Sequence, residues 1–276
     1  MEGVQQAPWY ADWQHQEHAK HFDQRSRLSD RGLVRNLESF NDVRLLCDHL
    51  REPLAGELLE VGCATGEMYR YLKLTQPAIA YTGLDISESA IERARSKYAD
   101  ANFVLGDPVQ SISDNLKSHS LATKYAVVYS KDVLHHQTQP WDFLDDLMAS
   151  AQLSLFLRTR TRDEGETVLD PNQSCQYHYN GWMPYVVFNL DELVRQIQQR
   201  SPSAEVVVLR NHMVLGGREN RFLPKECYLP QTGTAESAVG ICFSSEQPGR
   251  VLIEDREDRV FPSTWQGKLK QLIVRA

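Results

Sequence analysis

The sequence has few of the features that define several protein classes. Its 276 residues include five cysteines, none in a CxxC pair, so neither a disulfide framework nor a thiolate metal site is predicted. No run approaches the roughly 20 apolar residues of a membrane-spanning helix. Residues 1–20 lack the basic segment followed by an apolar one that marks a secretory signal. The sequence therefore predicts a cytoplasmic protein with reduced thiols and no membrane span.

Basic charge is also scarce. Lys and Arg total 30 against 37 Asp and Glu, which gives a formal net charge of −7. Because proteins that bind nucleic acid usually have a basic excess, nucleic acid is not predicted as a partner. The hydrophobic fraction of 41% allows a chain of this length to bury a core without a structural metal, and no metal site is predicted. The oligomeric state is not fixed by the sequence, and a homodimer stays open.

From residue 57 onward, short apolar runs alternate with helical segments. Strands that alternate with helices predict parallel β-α-β units and an α/β fold with a doubly wound sheet. Such sheets bind ligands beyond the carboxyl ends of their strands. Upstream, residues 33–50 have apolar side chains at helical spacing and predict one amphipathic helix.

The order of the predicted elements divides the chain into parts. These are an N-terminal helical lid (1–52), a ligand-binding core (53–246) and a C-terminal extension (247–276). Two segments of the core, 160–189 and 211–237, are too long for ordinary connections, so we expect them to form the substrate side. Three aromatic residues of the lid, Trp9, Tyr10 and Trp13, are expected to fold over a cofactor.

The most informative segment is LLEVGCATGEMYRYL, residues 58–72. A buried strand contains Glu60, and the small residues at 62–66 turn directly into a helix. Small residues let a ligand approach the backbone, and a helix N-terminus offers unpaired N–H groups. Asp85 ends the next strand, where a carboxylate can accept hydrogen bonds from ribose hydroxyls. The pattern predicts a nucleoside-containing ligand.

Two classes of ligand compete for this turn. A dinucleotide requires the GxGxxG pattern, which Ala64 and Glu67 interrupt, and Glu67 at the helix start would repel a phosphate. The form E-x-G-x-[GA]-x-G, with the acid inside the strand, resembles instead the first motif of class I S-adenosylmethionine-dependent methyltransferases. The chain resembles the small-molecule branch of that superfamily over about residues 57–160.

The resemblance implies a seven-stranded, mostly parallel sheet whose last strand is antiparallel, with S-adenosylmethionine as the cofactor. The resemblance also implies which residues bind the cofactor. Glu60, Gly62, Ala64 and Gly66 match the positions at the methionine end. Asp85 matches the ribose-binding acid, Ile86 and Asp107 match the adenine contacts, and Ser130 lies in the fourth-strand segment that passes the methyl group. Ala64 stands where many members have glycine.

Candidates for catalysis and substrate binding follow the later strands. His135 and His136 come just after the fourth strand, where a histidine could remove a proton from an attacking hydroxyl, with His136 preferred, or could have a structural role. Candidate substrate contacts are Arg158, Tyr177, His178, Tyr179 and Trp182. The sequence favours O-methylation of a small molecule, either a sugar, a carboxylate or a natural-product precursor. N-methylation and a catalytically silent cofactor-binding scaffold are the alternatives.

Overall fold

The computed structural model describes residues 10–11, 13–14, 19–20, 23–50, 56–178, 181–212, 220–229, 232–243 and 249–258. Its strands are β1 (Glu57–Val61), β2 (Ala80–Asp85), β3 (Asn102–Leu105), β4 (Tyr125–Lys131), β5 (Ala151–Arg162), β6 (Cys175–His178), β7 (Gly181–Pro184), β8 (Phe188–Asn189), β9 (Glu205–His212), β10 (Arg221–Phe222), β11 (Ala235–Cys242) and β12 (Val251–Asp255). Its helices are α1 (Asp30–Leu37), α2 (Asn41–Leu50), α3 (Glu67–Thr75), α4 (Glu88–Lys97), α5 (Ile112–Ser118), α6 (Pro140–Ser150) and α7 (Leu190–Arg200). Short 3₁₀ turns occupy Asp23–Arg27, Leu134–His136 and Lys225–Tyr228.

Within the described residues, the main sheet has nine strands. Eight follow the order β12-β9-β11-β5-β4-β1-β2-β3, and β8 pairs with β5. Only β11 runs against its neighbours β5 and β9 among these described strands, which confirms the predicted doubly wound sheet with an antiparallel last strand. The sheet exceeds the predicted seven strands because β8 extends the edge of β5 and β12 adds to β9.

Hydrophobic cores cover both faces of the sheet, because side chains alternate along each strand. Leu59 of β1 packs in the core that contains residues of α5, α6 and α7. Its neighbour Leu58 packs in the opposite core with residues of α1, α2, α3 and α4. Helices α1 and α2 thus help to cover the sheet, and β12 lies at its edge. The predicted division into lid, core and extension stays a prediction.

The single helix predicted over residues 33–50 is wrong, since α1 and α2 are separate helices. The chain leaves α1 at Glu38, and the hydroxyl of Ser39 donates to the Asn36 carbonyl at 2.6 Å. A side chain that bonds locally to the backbone competes with helix propagation. The next helix then starts at Asn41.

The two long insertions meet in space. Strands β6 and β7 come from the first and β10 from the second, and they form an antiparallel sheet in the order β10-β6-β7. This smaller sheet lies against the carboxyl edge of the main sheet, where the Pro184 carbonyl contacts His136. No helix among the described residues is long and apolar enough to span a membrane.

Candidate active site

A cavity of about 590 Å³ lies at the carboxyl edge of the main sheet. Residues at or just after the ends of β1, β2, β3 and β4 line one side, and the smaller sheet built from both insertions lines the other. Pockets for small ligands commonly have volumes of about 300 to 1,000 Å³. The cavity therefore lies where a doubly wound sheet is expected to bind a ligand.

The turn between β1 and α3 has three residues in the left-handed backbone region, with φ of +86° at Gly62, +48° at Ala64 and +84° at Gly66. A β-carbon on Gly62 would overlap a methyl group of Val133, so this position requires glycine for its space as well as its φ. Ala64 adopts its φ at a cost of about 1 to 2 kcal/mol. Gly62 and Ala64 bring their backbone to the cavity wall.

Two buried acidic side chains, Glu60 and Glu67, line the cavity beside this turn. Glu60 accepts a hydrogen bond from the Tyr81 hydroxyl, and Glu67 accepts one from the Thr65 hydroxyl at 2.8 Å. Burial raises the pKa of Glu60 to about 8. The Tyr81 hydrogen bond opposes this rise, whereas the negative charges of Glu67 and Asp85 add to it. This cluster of carboxylates would be stabilised by a positively charged ligand.

The backbone fixes Asp85, the last residue of β2, from two sides. Its carboxylate accepts hydrogen bonds from the amides of Ala64 and Ser87, each at 2.8 Å. Burial raises the pKa of Asp85, although these two hydrogen bonds oppose the rise. Asp85 and the adjacent Ile86 both line the cavity. Because each carboxylate oxygen has a second lone pair, Asp85 can still accept hydrogen bonds from ligand hydroxyls.

The loop after β3 supplies a polar rim. Asp107 is exposed there, its amide donates to the Asn115 side chain at 2.6 Å, and its carboxylate accepts from the Val109 amide at 3.0 Å. Asn115 belongs to α5 and lines the cavity together with Asp107. These hydrogen bonds hold Asp107 at the place where an adenine edge was predicted.

His135 and His136 form a short turn after β4 and are both buried in the cavity wall. Nδ1 of His136 lies 2.8 Å from the Pro184 carbonyl, so we assign the proton to Nδ1 and leave Nε2 as the accepting nitrogen. Burial lowers the pKa of His136 to about 4 and that of His135 well below its usual range, so both rings are neutral at pH 7. The Trp13 ring packs edge-on against His136 at 4.8 Å between centroids.

An ion pair lies beside the histidines. Asp132, with φ of +58°, places its carboxylate 2.9 Å from Nη1 of Arg160. Nη2 of Arg160 lies 2.9 Å from Glu236, and its Nε donates to the Tyr185 hydroxyl at 3.0 Å. Burial opposes the negative charge of Asp132, but Arg160 and Arg158 outweigh it and lower the pKa of Asp132. Asp132 is therefore ionised, and two carboxylates neutralise Arg160.

The smaller sheet turns a polar face to the cavity. Gln176 and His178 of β6 line the cavity, whereas Tyr177 between them is exposed, as strand alternation requires. Arg221 of β10 pairs in register with Gln176, and its Nε donates to the Gln176 side chain at 3.0 Å. The guanidinium of Arg221 also stacks on the Tyr185 ring, 4.3 Å from its centroid.

The structure brings most of the predicted site residues into one cavity. Those that line it are Glu60, Gly62, Ala64, Asp85, Ile86, Asp107, His135, His136 and His178. Gly66 and Ser130 lie behind the wall, where the Ser130 hydroxyl donates to the Val61 carbonyl at 3.1 Å. Tyr179 is outside the described residues. Within the described ranges, no group of three or more His, Cys, Asp or Glu side chains could hold a metal ion.

Three predicted substrate residues lie elsewhere. Arg158 lies two residues before Arg160 on β5. It is buried and forms an ion pair with Glu236 instead of lining the cavity. Tyr177 and Trp182 are on the outer face of the smaller sheet, with ring centroids 5.2 Å apart. The roles of these three residues in substrate binding stay a prediction.

Several residues that line the cavity are absent from the predicted site. These are Asp132, Gln176, Asn220 and Arg221. Asp132 could have been predicted from the sequence, because it directly follows the fourth strand. Arg160 belongs to the same alternating series as Arg158 and ends nearer the carboxyl edge of the sheet. Asn220 and Arg221 have no local signal, because their position depends on the pairing of two separate insertions.

Comparison with known proteins supports this assignment of the fold. Residues 59–152 match the family model of a methyltransferase domain. The mitochondrial ubiquinone biosynthesis O-methyltransferase of Schizosaccharomyces pombe is 33% identical over 92 residues, which are 33% of this chain. The aligned region covers 32% of that enzyme, so the chain matches about a third of its relative's length.

Two crystal structures share the fold over most of the chain. The N-terminal domain of EvdMO1, studied in the presence of S-adenosylhomocysteine (SAH) and D-fucose, superposes with a TM-score of 0.51 and 17% identity, covering 85% of this chain and 95% of that one. The plantazolicin methyltransferase BpumL, in complex with a triazolic desmethylPZN analog and SAH, gives 0.50 and 19%, covering 85% and 93%. The two structures show that the chain shares this fold, and residues 59–152 carry the match to a methyltransferase domain.

The acid-lined side of the cavity fits S-adenosylmethionine, the cofactor that the sequence predicts. S-adenosylmethionine has a sulfonium cation and no phosphate, so the buried carboxylates of Glu60 and Glu67 suit it. Asp85 offers lone pairs for ribose hydroxyls, and the missing side chain of Gly62 lets the ligand approach the backbone. A dinucleotide does not fit, because Glu67 begins α3 at the point where a pyrophosphate would bind.

Proposed function

We propose that this protein transfers a methyl group from S-adenosylmethionine to an oxygen atom of a small polar molecule. The observation that carries the proposal is that neutral His136 lines the same cavity as the acid-lined turn after β1. The O-methyltransferase relative supports oxygen over nitrogen as the atom that is methylated. A small molecule is favoured as the substrate, because the two insertions form a wall on the side of the cavity that faces the main sheet.

Bound S-adenosylmethionine supplies a methyl group on a sulfonium that is already activated for displacement. The residues of the chain align the attacking hydroxyl, exclude water and accept its proton. Nε2 of His136 is the accepting atom, because Nδ1 is held by the Pro184 carbonyl. The Pro184 hydrogen bond and the negative charge of Asp132 favour the positive charge that this proton places on the ring, whereas burial and the charges of Arg160 and Arg221 oppose it.

The low pKa of His136 is compatible with this role. A neutral hydroxyl becomes strongly acidic as its oxygen forms the new bond to carbon, so a weak base suffices at that stage. A base with a pKa of about 4 also stays unprotonated at neutral pH. His136 therefore acts late in the displacement rather than by forming an alkoxide beforehand.

The proposal is tested by calorimetry with S-adenosylmethionine and SAH, followed by radiolabelled methyl transfer to a panel of hydroxyl, carboxyl and amine metabolites. We expect both cofactor forms to bind, and label to enter a hydroxyl or carboxyl compound. Label that enters only amines would replace the proposal with N-methylation. Cofactor binding with no transfer to any metabolite of a whole-cell extract would favour a silent scaffold. The Asp85→Ala variant, with weakened cofactor binding, checks the location of the site.

A further inference from the structure

One buried histidine of the cavity wall has no part in the reaction proposed above. His135 is 1% exposed and lines the cavity, and its ring centroid lies 4.1 Å from that of His136. The ring packs edge-on against Tyr185 at 5.1 Å between centroids. The backbone carbonyl of His135 accepts from the Val186 amide at 2.8 Å. These contacts hold the ring in place, so its two nitrogens have set positions.

The two ring nitrogens of His135 have different surroundings. Nδ1 is enclosed by the protein and has no hydrogen-bond partner among the residues that the structure describes. Because His135 lines the cavity, Nε2 is the nitrogen that can reach a bound molecule. Buried polar side chains are normally hydrogen-bonded, so a ring without a bond inside the described part of the fold indicates a partner in the cavity.

The position of the proton on His135 follows from these surroundings. Burial lowers the pKa of His135 well below its usual range, so the ring is neutral at pH 7. Charge on His136 and Arg160 adds to this effect, whereas Asp132 opposes it. A neutral ring has one N–H group and one lone pair. A buried N–H group without an acceptor is rarer than a buried acceptor without a donor, so we assign the proton to Nε2.

His136 has the opposite arrangement of donor and acceptor. Its Nδ1 is held by the Pro184 carbonyl at 2.8 Å, so its Nε2 accepts. The two neighbouring rings therefore offer the cavity one accepting nitrogen and one donating nitrogen. A hydrogen bond from His135 to the attacking oxygen would withdraw electron density from the atom that must attack the methyl group. The donor is thus matched to a second oxygen beside the first.

We propose that His135 selects methyl acceptors that have two oxygens on adjacent carbon atoms. Nε2 of His135 donates to the second oxygen, while His136 accepts the proton of the hydroxyl that is methylated. The inference rests on the proposed function, because it names the substrate class of the same cavity. The short distance between the two rings matches neighbouring oxygens. Acceptors of this class include sugars with vicinal hydroxyls, ortho-dihydroxy aromatic compounds and α-hydroxy ketones.

Three amide side chains add to the hydrophilic character of this wall. Gln137, Gln176 and Asn220 all line the cavity. Each of them forms a hydrogen bond within the protein through one end of its amide. A primary amide has a donor end and an acceptor end, so the other end can bond to further hydroxyls of a bound molecule.

The positions of the protons are tested by NMR. The full chain is labelled with ¹⁵N-histidine, and long-range ¹H–¹⁵N spectra report which ring nitrogen is protonated. His135→Phe and His136→Asn assign the two sets of signals. We expect the proton on Nε2 in His135 and on Nδ1 in His136. A proton on Nδ1 of His135 would overturn the proposal, because Nε2 could then not donate.

The substrate class is tested with two pairs of positional isomers, catechol with hydroquinone and cis-1,2- with cis-1,4-cyclohexanediol. SAH binding to the full chain is measured first by calorimetry, and each probe is then titrated into the SAH complex by saturation-transfer NMR. We expect the 1,2-isomer of each pair to bind about fivefold more tightly, as one additional hydrogen bond predicts. Equal affinities within both pairs would overturn the proposal.

Variants assign the preference to His135. His135→Phe keeps a ring beside Tyr185 but has no donor, so the preference should fall to about onefold. His135→Gln should retain part of it, because the amide can still donate into the cavity. His119→Phe is the matched control, since His119 is exposed at the end of α5 and should keep the full preference. Unchanged SAH affinity in the three variants shows that the fold is intact, and a full preference in His135→Phe would contradict the assignment.

The proposed function and the acceptor class fail in different ways. Absence of SAH binding would contradict the proposed function alone. The probes are then titrated into the free protein, where a preference for the 1,2-isomers that depends on His135 would still support the donor role. SAH binding without that preference would contradict only the acceptor class.

Discussion

The two sides of the cavity differ in how the chain builds them. The acid-lined side comes from a short stretch, residues 60–90, with further rim residues at 106–115 that include Asp107 and Asn115. The opposite side combines residues 131–137 with Arg160, part of the first insertion and residues 220–221 of the second. The proposed cofactor site is formed by local chain geometry, whereas the wall that faces the proposed methyl acceptor depends on long-range pairing.

The two sides also differ in how their charges are balanced. On the acid-lined side, burial raises the pKa of Glu60 and Asp85, so these carboxylates are under-stabilised in the free protein. On the other side, Asp132 has a lowered pKa because arginines surround it. The charges of the first side need a bound ligand to balance them, whereas those of the second side are balanced by other residues of the protein. Variants on the first side should therefore change cofactor affinity, and variants on the second side should change kcat.

The largest effect is expected for His136→Asn, which should lower kcat by about 10² to 10³ and leave cofactor affinity unchanged. Asparagine can still donate to the Pro184 carbonyl, but it cannot accept a proton. Steady-state kinetics and calorimetry measure the two quantities. His119→Asn is the matched control, since His119 is exposed at the end of α5. Equal kcat in wild type and His136→Asn would remove His136 from the reaction.

The pH profile of kcat sharpens the same point. His136 must be unprotonated to accept a proton, and its pKa is lowered to about 4. Activity should therefore be level across neutral pH and fall only as the pH drops toward about 4. A fall in kcat centred near pH 6.5 would contradict the lowered pKa, because it would show that the reaction depends on a histidine with an ordinary pKa.

Gly62→Ala should act on the opposite side and weaken cofactor binding by about 10²-fold. The new methyl group would overlap Val133, and φ of +86° disfavours alanine by a further 1 to 2 kcal/mol or so. Affinity is measured by calorimetry and stability by urea unfolding. Gly32→Ala in α1, where φ is ordinary, is the control and should bind the cofactor normally. Wild-type affinity in Gly62→Ala would separate this turn from the cofactor.

Glu60→Gln tests the charge of the acid-lined side, with an expected effect of about tenfold. Only an ionised carboxylate attracts the cationic cofactor, and Glu60 has a pKa of about 8 in the free protein. The affinity for S-adenosylmethionine should therefore rise with pH up to about 8 in the wild type. It should be nearly independent of pH in Glu60→Gln, whereas Glu88→Gln on the surface of α4 should behave as wild type.

The same variant should stabilise the free protein at alkaline pH. Folded Glu60 keeps its proton up to about pH 8, whereas the unfolded chain loses it near 4.5. The folded state binds more protons in that window, so its stability falls as the pH rises through it. Glutamine avoids this penalty, and the free energy of unfolding at pH 8.5 should increase by about 4 to 5 kcal/mol. No gain at pH 8.5 would contradict the raised pKa.

Local patterns explain why much of the fold could be predicted from the sequence. Apolar runs that alternate with helices define β1 to β5, and the turn at 62–66 defines the site beside them. Glu60 and Asp85 were found because their role depends on the strand that contains each of them and on the turn that follows. The break between α1 and α2 was not found, since no glycine or proline marks residues 38–40.

The other side of the site was less predictable, because its contacts join distant segments. Gln176 and Arg221 become neighbours only when β6 pairs with β10. Arg158 and Arg160 share one face of β5, and the distinction between them depends on the position of Asp132 and on the edge of the sheet. Alternation along one strand places both arginines together but does not indicate which of them reaches the cavity.

The smallest effect is expected for Ala64→Gly, which should raise the free energy of unfolding by about 0.5 kcal/mol. Glycine relieves the strain at φ of +48° but loses more backbone entropy on folding, so the two terms nearly cancel. Ala122→Gly is the control, because Ala122 is exposed outside the positive-φ set and should lose about 0.5 to 1 kcal/mol. Urea unfolding measures both changes, and equal losses in the two variants would show that Ala64 is unstrained. A gain in stability for Ala64→Gly beside a loss for Ala122→Gly would show that alanine at position 64 costs stability. The shape of the turn would then be set by Gly62 and Asp85 rather than by residue 64.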